Sequence, residues 1–169
     1  MYAQTERLTL SGPAGAIEAV RDSAALADGA APRGVAIIAH PHPLFGGTMD
    51  NKVVQTLARA FVQCGWTAVR FNFRGVGATA GVYDEGRGEL QDLLAVVEQV
   101  APAAAGQPLA LAGFSFGAFV TSHALEALWP TQRVEKAVLV GTAASRFTVA
   151  PVPPDAPLRT LVVHGEQDD

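Results

Sequence analysis

A serine hydroxyl attacks carbonyls only where its surroundings expose and activate it, and Ser115 stands in such surroundings. It sits at the centre of LALAGFSFGAFV, residues 109–120, with Gly113 and Gly117 two positions to either side. An apolar run precedes the five residues and a helical pattern follows. A sharp turn from strand to helix strains the central residue and admits only small neighbours, so G-x-S-x-G in this context projects the serine from the end of a sheet. At a helix N-terminus, the free N–H of Phe116 and the helix dipole can stabilise an oxyanion during attack on a carbonyl. In a chain with 17 glycines the pentapeptide alone carries little weight. The strand before it and the helix after it give it meaning.

Three other stretches hold chemistry. HPHPLFGGTMDNK, residues 40–52, offers imidazoles at i and i+2. No carboxylate or thiol lies within that loop before Asp50, so a rigid loop explains the prolines better than a metal site does, and no metal or cofactor is expected. Gly46 and Gly47 permit close backbone approach, and Asp50 or Asn51 caps the next helix. FNFRGVGATAG, residues 71–81, carries Arg74, which either binds a substrate carboxylate or bonds to neighbouring carbonyls. LVVHGEQDD, residues 161–169, breaks at Gly165 and delivers Asp168 and Asp169 beyond an apolar strand. Acidic groups at that end of a strand are how α/β enzymes present a catalytic carboxylate.

Alternating elements must hold these groups. TERLTL (5–10) and AIEAVRD (16–22) flank the turn cluster SGPAG and form an opening hairpin. GVAIIAH (34–40) reads as a strand buried on both faces, followed by a helix over 51–65 that Gly65 stops. Strands at 66–73, 108–114, 134–141 and 158–165, with helices at 88–100 and 116–129, continue the series. Such alternation predicts a parallel sheet with right-handed crossovers. TVAPVPPDAPL (148–158) is a stiff connector, and residues 141–158 are too short for a helical lid, which leaves any site at the strand ends open. Cys64, Trp66 and Trp129 are assigned to packing, and Glu89 to helix-dipole compensation.

With these motifs the chain resembles an α/β-hydrolase, and most closely the small lidless bacterial hydrolases similar to dienelactone hydrolase. The resemblance implies a mostly parallel sheet with helices on both faces, and here a single domain over 1–169 that ends before the last strand and helix. It implies that the 40–52 loop supplies the second oxyanion N–H. Pro41 and Pro43 have none, which leaves His42 or Leu44, with His42 favoured two residues after the strand-ending His40. It matches His164, Gly165 and Asp168 to the family's His-Gly-x-x-Asp, with Glu166 and Asp169 as lesser candidates for the acid. In 71–81 Asn72 takes the place of the usual Asp and Thr79 that of Ser. His40, Phe45, Arg74 and Phe114 are candidates for the substrate pocket. Triad order in this fold is Ser, acid, His, so the general base is expected beyond residue 169. His123 lies two helical turns from Ser115 and is too far to serve.

Hydrophobic residues make up 49% of the 169 and charged residues 17%, which suits a globular domain. Twelve Lys and Arg against 16 Asp and Glu, a net charge of −4, argue against nucleic acid or an anionic membrane as partner. No signal peptide or run of roughly 18 apolar residues is present, which predicts a cytoplasmic protein with a small-molecule substrate. An apolar last strand at an open edge predicts a homodimer or aggregate. The expected activity is hydrolysis of a small ester, thioester or lactone. The competing expectation, if the chain is naturally complete, is a non-catalytic domain that keeps the fold for binding or assembly.

Overall fold

The computed structural model describes residues 4–156 and 159–166. Its framework follows from how the apolar runs sort themselves by period. β1 (Thr5–Gly12) and β2 (Gly15–Asp22) form an antiparallel hairpin, and β2 runs antiparallel to β4 (Thr67–Phe71). β3 (Val35–Ala39), β5 (Leu109–Phe114), β6 (Val134–Val140) and β7 (Thr160–Val163) complete a seven-stranded sheet in the order β1-β2-β4-β3-β5-β6-β7, with every pair from β4 to β7 parallel. Three helices cross between strands: α1 (Lys52–Gln63), α2 (Arg87–Val100) and α3 (Phe116–Leu128). The mostly parallel sheet with helices on both faces is the expected one, with element ends displaced by at most two residues.

Alternation along the central strands divides the core in two. Val35, Ile37, Leu109 and Leu111 face α2 and α3. Ala36, Ala68, Ala110 and Ala112 face α1, whose Val54, Ala58, Phe61 and Val62 pack on them. The small alanines let α1 lie close, while the larger side chains on the other face fill the space beneath two helices. All five residues of β3 are buried, as a doubly covered parallel strand requires.

The caps follow the sequence closely. Asn51 caps α1, its side chain accepting the N–H of Val53 at 2.9 Å. The carboxylate of Glu89 is fully buried and accepts the N–H groups of Asp84 and Gly86 at 2.8 and 2.9 Å, so it closes the turn before α2 as well as opposing the helix dipole. Cys64 departs from the packing role expected for it: it caps the end of α1 and is exposed. Among the described residues no helix is long and apolar enough to cross a membrane. On the outer strand β7, Leu161, Val162 and Val163 are roughly half exposed.

Candidate active site

β5 ends at Phe114 and α3 begins at Phe116, so a single residue makes the turn. That residue is Ser115, with φ 55° and ψ −118°, a left-handed backbone that costs a non-glycine residue about 1–3 kcal/mol. The strain is held from both sides. The N–H of Ser115 donates to the carbonyl of Val140 on β6 at 2.9 Å, and its own carbonyl accepts the N–H of Phe119 in α3 at 3.1 Å. The flanking glycines are sterically required: a Cβ on Gly117 would collide with the carbonyls of Ala39 and His40, and one on Gly113 with the backbone of Gly117 and the hydroxyl of Thr121.

Ser115 opens on a cleft of about 560 Å³ at the C-terminal ends of the strands, lined also by His42, Phe45, Phe114, Arg146 and Phe147. Pro41 and His164 contribute from the ends of β3 and β7. Phe116 lies fully buried beneath this group, its ring 5.0 Å from His42, 5.4 Å from Phe147 and 5.7 Å from Phe73 and Tyr83. The aromatic packing ties the loops after β3, β4 and β6 to the helix that carries the serine.

Both N–H candidates on the 40–52 loop can be placed. Leu44 N–H donates to Nδ1 of His42 at 3.2 Å, so it is committed inside the loop, and the Leu44 side chain points to solvent. This corrects Leu44 as a second choice. The backbone N–H of His42, between two prolines, has no acceptor among the described residues, and neither has that of Phe116 in the first turn of α3. The His42 imidazole accepts at Nδ1, so its proton sits on Nε2, and burial pushes its pKa below the ordinary histidine value, with Arg146 acting in the same direction and Glu89 against it.

Two pocket candidates lie elsewhere. His40 is fully buried under β4: Nε2 accepts the N–H of Phe73 at 3.0 Å, which leaves Nδ1 to donate to the Pro41 carbonyl at 2.6 Å. Burial lowers its pKa to about 4, so it is a neutral linker between two loops and does not line the cleft. Arg74 makes a two-pronged ion pair with the buried carboxylate of Asp92 on α2, at 2.9 and 2.8 Å. A Cβ on Gly88 would strike its guanidinium, so the start of α2 is cut away to seat it. Arg74 therefore faces its own scaffold, bonded to a carboxylate and not to the carbonyls that were the alternative. Asn72 and Thr79 knit the same loop: Asn72 accepts the N–H of Met49 and donates to Glu18, and the Thr79 hydroxyl donates to the Asn72 carbonyl.

His123 Nε2 donates to the carbonyl of Thr148, 2.9 Å away, and His123 is absent from the cleft lining. Asp168 and Asp169 lie outside the described residues. Sequence reasoning missed Arg146 and Phe147, which lie between the end of β6 and the proline-rich connector 148–158 and were given no role. Their signal was positional, because loops after the C-terminal ends of parallel strands line the crevice in open α/β sheets.

Sheet order, the strained serine turn and the cleft at the strand ends define an α/β-hydrolase fold. Residues 30–163 match the model of the serine aminopeptidase family S33, and the chain belongs to that family. Among solved structures it is 40% identical to XC6422 from Xanthomonas campestris, an α/β serine hydrolase without a lid, with a TM-score of 0.84 over 98% of this chain and 74% of that one. An α/β serine hydrolase homologue from Coxiella burnetii is 34% identical, with a TM-score of 0.73 over 98% of this chain and 90% of that one. The uncharacterised protein RP471 of Rickettsia prowazekii is 44% identical over 89 residues, 51% of this chain and 37% of that protein's length.

Proposed function

We propose that Ser115 is the nucleophile of a hydrolase acting on a small ester, thioester or lactone through an acyl-enzyme. The observation that carries this reading is the backbone of Ser115, held at φ 55° between two glycines that nothing larger can replace. Oγ attacks the carbonyl carbon and its proton passes to a histidine. The developing oxyanion takes the N–H groups of Phe116 and His42. Collapse expels the alcohol or thiol, which leaves with that proton, and water then releases the acid. In this reading the histidine lies beyond residue 169 and Asp168 orients it. Among the described histidines, His40 and His123 are engaged elsewhere.

The family is that of the serine aminopeptidases, so an amino-acid amide is the second substrate class to weigh. An aminopeptidase must hold a free ammonium group, which calls for a carboxylate. The described residues lining the cleft bring Arg146 and imidazoles instead, which favours the ester reading.

The test is turnover of p-nitrophenyl esters of increasing acyl length, with alanine p-nitroanilide as the amide arm. Acetate and butyrate are expected to exceed long-chain esters, because the open cleft gives a long chain no wall to bury against. Ser115→Ala is expected to lower kcat by roughly 10⁴ or more. Equal activity of that variant removes Ser115 from the mechanism, and better turnover of long chains removes the small-substrate reading. A full-length protein that hydrolyses no arm supports the non-catalytic alternative.

A further inference from the structure

We infer that Arg146 forms an anion subsite beside Ser115, so that the favoured substrate is a short ester or thioester bearing a free carboxylate, such as a half-ester of a dicarboxylic acid. The inference rests on the hydrolase reading above and names its substrate class.

Arg146 is the only residue of permanent charge among the described residues that line the cleft. The other described residues of that lining are aromatic rings, imidazoles and small residues, so none of them competes with Arg146 for an anion by a full positive charge. The other arginines near the site are already engaged: Arg70 with Asp22 and Asp50, Arg74 with Asp92, and Arg87 with Asp84 and Glu85. Among the described residues Arg146 has no such ion pair, and none of those lining the cleft beside it is a carboxylate.

The loop that carries Arg146 is built. Gly141 and Ala143 both take left-handed backbones at φ 52°, the second of them uncommon for a residue with a side chain. The N–H groups of Arg146 and Phe147 both donate to the Ala143 carbonyl, at 2.9 and 3.1 Å. The Phe147 ring stacks on Phe119 at 4.8 Å with 14° between the planes, and Phe119 donates its N–H to the carbonyl of Ser115. The backbone of Arg146 is thus fixed to the helix turn that holds the nucleophile. The side chain stays exposed at the cleft lining. Its charge is felt by His42, which shares the same cleft. A planar guanidinium offers a carboxylate two parallel hydrogen bonds, whereas a neutral acyl chain gains nothing from it.

The experiment compares monomethyl glutarate with methyl valerate in a pH-stat, using the full-length protein, Arg146→Gln and Arg146→Lys. Wild type is expected to favour the half-ester in kcat/KM by about tenfold, and Arg146→Gln to erase about tenfold of that ratio, chiefly through KM, with partial rescue in Arg146→Lys. Added salt is expected to shrink the wild-type ratio. A ratio that is the same in wild type and Arg146→Gln overturns the subsite while leaving Ser115-dependent hydrolysis intact. A binding arm separates the two readings. Ser115→Ala is titrated with monomethyl glutarate by calorimetry, and adding Arg146→Gln is expected to weaken binding about tenfold. Arg146-dependent binding without hydrolysis of either ester sinks the hydrolase reading and keeps the subsite. Arg146-independent binding overturns the subsite.

Discussion

At the scale of single residues, the site separates groups that face substrate from groups that hold the frame, and histidines stand on both sides of that division. His40 is the clearest frame residue, accepting from one loop and donating to another while fully buried. Its pKa falls from the ordinary 6.5 to about 4 because burial disfavours the imidazolium. The folded state therefore binds a proton less readily than the unfolded chain. The resulting stability is present in full above pH 6.5 and is lost as pH falls from there towards 4, by about 3 kcal/mol in all. Urea unfolding of wild type and His40→Asn at pH 7 and pH 4 checks this, with the variant expected to show a shallower decline. Parallel declines would show that His40 does not set the acid sensitivity. The two arginines show where reading a sequence stops. Arg74 sits in a glycine-rich loop and looked available, but its partner Asp92 is 18 positions away on a helix face that sequence alone does not orient. Arg146 was not singled out at all, and its place in the cleft depends on a turn at Ala143 that no residue type announces.

Among the elements, strands and helices were legible because their apolar runs have clean periods and their ends carry Gly, Asn or Pro. The five buried residues of β3 and the glycine-bounded turn at Ser115 are the firmest cases. Tertiary pairings between loops were not legible. The loop after β4 hangs on such pairings, above all on Arg74 and Asp92, whose side chains are 13% and 1% exposed. Removing one partner of a buried pair leaves the other charge uncompensated. Asp92→Ala is expected to cost about 3 kcal/mol, and the double variant Arg74→Ala/Asp92→Ala less than the sum of the singles. Chemical denaturation of the four proteins measures this coupling. Additive losses would mean that the pair is solvated well enough to hold nothing in place.

For the whole molecule, one face of the sheet stands apart. β7 pairs only with β6 among the described strands and carries Leu161, Val162 and Val163 at 57%, 53% and 46% exposure. An apolar strand at a sheet edge is a template for pairing with another chain. A polypeptide of residues 1–169 expressed by itself is expected to self-associate, and Val162→Lys to reduce that association by placing a charge on the edge. Light scattering over a concentration series decides the matter. A monomer at all concentrations, or no change in the variant, would show that this strand does not drive assembly.

The account depends most on Ser115 as nucleophile, and covalent labelling tests that without knowledge of the substrate. The full-length protein is treated with a fluorophosphonate probe, digested and mapped by mass spectrometry. The expected result is one adduct on the peptide containing Ser115, absent from Ser115→Ala. Equal labelling of wild type and Ser115→Ala, or an adduct on another residue, would contradict it.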